Sequence, residues 1–150
     1  MSDTLLQRVQ FFLEAASRGE SSGIPPHLIH EFKEMCGSAL ERQFSRDDTG
    51  PKIRMSGVGK PLCQQKMGMR DDIKEDVDYT LVMKFLFGDI IEAIAVTVMK
   101  AAGINVEEEQ KPVQLEIGGT TLKGTYDIKI DGKIYDIKSA SPGAFSMKFA

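Results

Sequence analysis

The segment GTYDIKIDGKIYDIKS, which spans residues 124–139, decides the fold of the last third of the chain. Apolar and polar residues alternate on both sides of Asp131-Gly132, and this dipeptide is typical of a two-residue hairpin turn with positive φ. The segment therefore predicts an antiparallel hairpin. From the turn outwards, its pairs are Ile130 with Lys133, Ile128 with Tyr135, Asp127 with Asp136, and Tyr126 with Ile137.

This register gives the hairpin an apolar face and a polar face, because directly opposite residues point to the same side. The polar face carries Asp127, Asp136 and Lys138. Opposed carboxylates repel unless a cation lies between them, and their oxygens suit Mg²⁺ or Mn²⁺. The alternative is a solvated polar face on which Lys138 neutralises one aspartate. The apolar face is expected to pack against a helix and carries Tyr126, Ile128, Ile130, Tyr135 and Ile137.

The rest of the chain predicts an α+β fold, with a helical N-terminal half followed by a three-stranded antiparallel meander. Ser2 or Asp3 is expected to cap the first helix, and Glu107–Glu109 is expected to be a solvated loop. We expect one domain over 1–150, with a helical, basic part over 1–70 and a catalytic core over 71–150. Helices are predicted over 3–17, 26–43 and 77–102, and strands over 113–117, 120–130 and 133–139.

The amino-acid composition restricts the classes of protein to which this chain can belong. The 150 residues are 41% hydrophobic and 27% charged, which fits one globular domain in the cytoplasm, with no signal peptide and no membrane span. A net charge of −3 argues against DNA binding by bulk charge alone. The charge is uneven, however. Residues 41–70 contain seven basic and three acidic residues, a local net charge of +4 that leaves −7 for the remainder.

The hairpin resembles the core motif of PD-(D/E)XK nucleases, in which an Asp on one strand is followed by Asp/Glu-x-Lys on the next. It is most similar to the RecB-like and lambda-exonuclease-like branches, which are common in phages. Asp127 matches the first position, and Asp136 with Lys138 matches the second. The resemblance implies a restriction-endonuclease-like core and a DNA nuclease, with exonuclease preferred over endonuclease.

The same resemblance implies the residues of a Mg²⁺ or Mn²⁺ site. Many members bring a Glu from a preceding helix, and the segment FGDIIE over 87–92 is similar to that element, with Glu92 as the ligand. Asp89 is the substitute on the same helix face, and the alternative for Glu92 is a single exposed acid. Lys138 would position the attacking water or stabilise charge on the phosphate. The implied ligands are Glu92, Asp127, Asp136 and the carbonyl of Ile137.

Contacts with the DNA backbone are expected from two places. The segment KIRMSGVGKPLC over 52–63 resembles a motif upstream of the catalytic core, in which a Ser, a Gly and basic residues approach the DNA. The alternatives are a flexible basic loop for this segment and a simple strand end for the two later serines. The residues expected at the DNA are Arg54, Ser56, Lys60, Ser139 and Ser141.

The C-terminus departs from the family pattern. The family core continues past the lysine strand with a further helix and strand, whereas this sequence stops at Ala150, twelve residues beyond Lys138. We therefore expect either a fragment of a longer enzyme, truncated at the C-terminus, or a fold completed by another subunit or a homo-oligomer. A second hypothesis is a non-catalytic, nuclease-like module that binds DNA or serves in a recombination complex. A third is an unrelated α+β protein.

Overall fold

A computed structural model describes residues 4–45, 55–68, 70, 79–140 and 142–149 of the chain. Within these residues the fold is α+β, because helices come first and a three-stranded antiparallel sheet follows, as the sequence predicts. The sheet order is β1-β2-β3. The elements are α1 (Leu5–Ser17), α2 (Pro26–Phe44), a 3-10 helix (Met55–Gly57), α3 (Leu62–Gly68), α4 (Tyr79–Ala101), β1 (Val106–Ile117), β2 (Thr120–Ile130), β3 (Lys133–Tyr135) and α5 (Pro142–Phe149).

The start of α1 differs from the prediction. Thr4 is the N-cap, rather than Ser2 or Asp3. The Thr4 hydroxyl accepts a hydrogen bond from the Gln7 N–H, and the Gln7 side chain accepts one from the Thr4 N–H. This reciprocal capping box satisfies two backbone donors at once, which a cap at Ser2 or Asp3 would leave to other partners.

Both hairpin turns have the predicted backbone. Gly118 and Gly119 have φ values of 55° and 79°, and Asp131 and Gly132 have values of 49° and 74°. Two successive positive φ values match the right-handed twist of the flanking strands. The predicted register of the second hairpin is confirmed where the ladder forms, with Ile130 opposite Lys133 and Ile128 opposite Tyr135.

The first strand begins seven residues earlier than predicted, at Val106 rather than Val113. The interpretation of Glu107–Glu109 as a solvated loop is therefore wrong, since these acids open β1. Their charges are balanced by cations on β1 itself and on neighbouring elements. Glu108 pairs with Lys111 and lies 3.6 Å from Lys129, and Glu109 pairs with Lys100 of α4.

The third strand ends at Tyr135 rather than at Ser139. Beyond Tyr135, the Ile137 N–H donates to the Asp127 carboxylate at 2.7 Å and not to a backbone carbonyl. A side-chain acceptor thus replaces the ladder bond that the predicted strand would require. The chain then enters the helix α5, which the sequence did not predict.

The core lies between α4 and the apolar face of β2. Ile128 and Ile130 are 1% and 4% exposed, and they pack with Val96 and Met99 of α4. The half-buried Ile137 packs against this cluster, so the apolar hairpin face meets a helix as predicted. Tyr135 departs from the prediction, because it is 39% exposed at the end of the edge strand. Within the described residues, no helix combines the length and apolarity needed to cross a membrane.

Candidate cation and DNA site

Four predicted site residues lie on three parts of the chain. Glu92 lies on α4, Asp127 lies on β2, and Asp136 and Lys138 follow β3. The Asp127 carboxylate is fixed by the Ile137 N–H. The Lys138 ammonium lies 2.9 Å from each of the two carboxylate oxygens of Asp136. We refer to Glu92, Asp127, Asp136 and Lys138 as the carboxylate–lysine cluster.

The electrostatics show that these charges act on one another. Burial raises the pKa of the Asp127 carboxyl above its ordinary value, the Ile137 N–H opposes this, and the negative charge of Asp136 adds to it. Burial likewise raises the pKa of Glu92, and the charges of Asp127 and Asp89 raise it further. Both carboxyl groups therefore lose their proton less readily than an isolated carboxyl group does, as expected where acids are partly desolvated and lie near one another's charge.

The acids of the cluster raise the pKa of Lys138. Its hydrogen bond to Asp136 is the largest cause that raises the pKa of the ammonium. The charges of Asp136, Asp127 and Glu92 raise it further, while desolvation opposes them. A lysine with a raised pKa stays protonated at neutral pH, so Lys138 can donate hydrogen bonds there but cannot accept a proton.

The structure distinguishes Glu92 from its substitute, Asp89. One Asp89 oxygen, Oδ2, lies 3.1 Å from the Arg42 guanidinium and accepts a hydrogen bond from Gln43 at 2.9 Å. Both partners belong to α2, so Asp89 joins α4 to α2. Glu92 instead accepts a hydrogen bond from Gln110 of β1, the strand beside β2.

The site also contains Gln110, a residue that the sequence did not indicate. Its side-chain Nε2 donates a hydrogen bond to Glu92 Oε1. Gln110 lies in β1 between Glu109 and Lys111, which pair with Ile128 and Tyr126 of β2. Nothing in the sequence pointed to Gln110, because β1 was predicted to begin three residues beyond it.

A cavity of about 270 Å³ adjoins the site on the side of α2. The cavity is lined by Glu34, Met35, Ser38, Arg42, Asp89, Glu92 and Gln110.

The structure describes some of the residues that are predicted to contact DNA. Met55, at the start of the 3-10 helix, packs against Gly124 of β2. A Cβ at Gly124 would lie 2.9 Å from the Met55 sulfur. The segment that contains Ser56 therefore passes beside β2, three residues from Asp127. Lys60 and Ser139 are exposed, and Ser139 directly follows Lys138. Arg54, Ser141 and the side chain of Ser56 lie outside the described residues.

The donor chemistry of the cluster fits Mg²⁺ or Mn²⁺, because carboxylate and carbonyl oxygens are the ligands that these ions prefer. The arrangement itself is open. Among the residues that the structure describes, no group of three or more His, Cys, Asp or Glu side chains is close enough to hold a metal ion. In this arrangement the Lys138 ammonium is the cation that neutralises Asp136.

Comparisons with protein-family models, with curated proteins and with solved structures find no match to this chain. The resemblance to PD-(D/E)XK nucleases therefore rests on the motif in the sequence alone.

Proposed function

We propose that this chain is a metal-dependent DNA nuclease of the PD-(D/E)XK type, with a restriction-endonuclease-like core, that hydrolyses phosphodiester bonds. The observation that carries the proposal is the carboxylate–lysine cluster, since residues from a helix, a strand and a strand end influence one another's charge. Exonuclease action is preferred because the motif is most similar to exonuclease-containing branches of the family.

The cation would be held by Glu92, Asp127, Asp136 and the carbonyl of Ile137. Burial and mutual repulsion disfavour the ionised carboxylates in the free protein. A divalent cation reverses this balance, because it is attracted to each of the three charges. When bound, such an ion lowers the pKa of a water molecule and neutralises charge on the scissile phosphate.

The residues around the cation would then have distinct tasks. The Ile137 N–H fixes one oxygen of Asp127. Lys138 is protonated and exposed, so it can donate to a phosphate oxygen or hold the attacking water once Asp136 turns to the cation. DNA backbone contacts are assigned to Arg54, Ser56, Lys60, Ser139 and Ser141.

A second candidate function is a non-catalytic nuclease-like module that binds DNA within a recombination complex or beside another subunit. Two observations favour it. The described acids do not form a ready-made metal group, and Lys138 already neutralises Asp136. This candidate predicts DNA binding that is indifferent to Mg²⁺.

Isothermal titration of Mn²⁺ separates the two candidates. The nuclease proposal predicts binding by the wild type and no binding by the double variant Asp127→Ala/Asp136→Ala. The matched control is Asp131→Asn, which removes an aspartate from the turn of the same hairpin and keeps a residue that tolerates positive φ. This control should bind like the wild type. Absence of binding to the wild type, with intact DNA binding, would favour the non-catalytic candidate.

A further inference from the structure

The side of α4 that faces away from the sheet is apolar. On the inner side, Val96 joins Ile128 of β2 in one core cluster, and a helix in this position normally turns polar residues to the solvent. Ile94 lies two residues before Val96, which places it about 160° away around the helix. It belongs to a row of five apolar residues on this outer side, of which the first four are between 38% and 57% exposed. The apolar row of α4 consists of Met83, Phe87, Ile91, Ile94 and Val98.

The charged residues of α4 lie mainly on other sides of the helix. The helix contains four of them. Asp89 pairs with α2, Glu92 accepts a hydrogen bond from β1, and Lys100 pairs with both of these elements. Lys84 is exposed near the start of the apolar row. The usual pattern of an amphipathic helix is therefore reversed, because three charges serve contacts within the chain and the solvent side is apolar.

The spacing of the apolar row is that of a seam between two helices. From Phe87 to Val98 its members are four, three and four residues apart. This alternation keeps side chains on one line of a helix and is the pattern of helices that pack side by side. From Met83 to Val98 the row is about 22 Å long, which is about four turns of helix. A small ligand needs a concave pocket, whereas a straight row of this length suits a second helix.

The segments of this chain outside the described residues offer little apolar surface to cover the row. The two longest are residues 46–54 and 71–78, and together they contain three aliphatic residues. These are Ile53, Ile73 and Val77. The second segment, which leads directly into α4, carries five acids and one lysine. Burial of four large side chains requires a comparable area of apolar surface, so a second apolar helix is the better match.

The exposed area of the row is enough for the apolar part of a small dimer interface. Its four exposed members together present about the surface of two whole side chains. A large apolar side chain has a surface of about 150–250 Å², so the row presents about 300–500 Å². Small specific interfaces bury about 500–800 Å² on each partner, and homodimer interfaces are about 65% apolar. Such an interface needs about 330–520 Å² of apolar surface from each copy, which the row supplies.

We propose that the apolar row of α4 is an interface against which a second copy of this chain docks its own α4, forming a symmetric dimer. A two-fold axis brings the same row of each copy against the other, so no other complementary surface is needed. Glu92 lies two residues before Ile94, about 160° away around the helix, so the carboxylate–lysine clusters of both copies remain outside the interface. This inference is independent of the proposed function, because it uses no residue of that cluster.

Sedimentation velocity of the wild-type chain over a range of micromolar concentrations tests the proposal. The expected result is a concentration-dependent change from the 16.6 kDa monomer to a species of twice that mass. Phe87→Glu and Ile94→Glu each place a charge in the row and should weaken association about 30-fold or more, as the loss of a central interface residue does. Both side chains are about half exposed in the single chain, so circular dichroism should show that the variants remain folded.

The matched control is Phe11→Glu, which makes the same change at an exposed phenylalanine of α1. This control should dimerise like the wild type. A wild-type chain that stays at 16.6 kDa at the highest concentration would overturn the proposal and leave a different partner for the row. A dimer that both α4 variants leave intact, or that Phe11→Glu weakens equally, would also overturn it.

Discussion

Replacement of Asp127 by Asn should stabilise the fold and abolish cation binding. The Asn side-chain oxygen can still accept the Ile137 N–H, which Asp127 accepts at 2.7 Å, so the local backbone is kept. The change removes a partly buried charge and its repulsion with Asp136. Like charges opposite one another in a sheet cost about 0.2–1 kcal/mol.

The middle of that range is appropriate, because Asp136 is exposed and already paired with Lys138. The expected gain is about 0.5 kcal/mol, which corresponds to a rise of about 1–2 °C in the melting temperature of a chain of this size. Thermal unfolding followed by circular dichroism would measure the rise, and titration with Mn²⁺ would measure the loss of binding.

The pH dependence of this effect has a definite sign. The folded-state pKa of Asp127 is raised above the ordinary value of 3.8, so the ionised group destabilises the fold at neutral pH. As pH falls through the raised folded pKa, Asp127 takes up a proton and this destabilisation disappears. The difference between wild type and Asp127→Asn should therefore be present at pH 7, shrink as pH falls through the raised pKa, and be absent below 3.8. A variant that is less stable than the wild type at pH 7, or that binds Mn²⁺ normally, would contradict this prediction.

Three further variants test other parts of the structure. Gly124→Val places a side chain against Met55, so it should displace the 3-10 helix, cost about 1–3 kcal/mol in urea unfolding and weaken DNA binding. DNA binding as strong as that of the wild type would show that this helix does not lie at the DNA. Ile128→Ala leaves a cavity in the core and should lower the free energy of unfolding by about 2–5 kcal/mol; a smaller loss would contradict its 1% exposure. Lys111 and Tyr126 lower the pKa of Glu108 from 4.5 to about 2. Their stabilising effect is present above pH 4.5 and is lost as pH falls towards 2, so Glu108→Gln should flatten the acid limb of the stability curve; an unchanged limb would show that these contacts do not form in solution.

Local patterns predicted the hairpin because its register depends on neighbouring residues alone. The turn at Asp131-Gly132 needs positive φ, and period-2 alternation fixes which side chains share a face. The long helix α4 was predicted for the same kind of reason, since apolar residues recur along it and Gly103 follows it with a φ of 75°. The prediction that Asp127 and Asp136 lie together follows from the register in the same way.

The predictions that were wrong concern segments whose structure depends on contacts between residues that are distant in the sequence. Glu107–Glu109 forms a strand because neighbouring groups balance its negative charges. These groups are Lys100, Lys111, Lys129 and the hydroxyl of Tyr126, and all except Lys111 lie on other elements. A run of acids read by itself favours a solvated loop.

The end of β3 was predicted wrongly and the contact of Gln110 was not predicted, and both for the same physical reason. Whether the Ile137 N–H bonds to a carbonyl or to Asp127 depends on where the Asp127 carboxylate lies in three dimensions. The contact between Gln110 and Glu92 joins residues on different elements, and its backbone conformation has no signature in the sequence. The choice of Glu92 over Asp89 came from the resemblance, whereas the pairing of Asp89 with α2 is a contact that the sequence does not show.

The proposed function is cleavage of DNA by the carboxylate–lysine cluster with a divalent cation. Its most direct test follows the cleavage of end-labelled single- and double-stranded DNA by the wild type, by Asp136→Ala and by the control Asp131→Asn, each with Mg²⁺ or with EDTA. We expect cleavage by the wild type and the control in Mg²⁺ only, and none by Asp136→Ala, whose hairpin remains folded. Cleavage that persists in Asp136→Ala or in EDTA would overturn the proposed function.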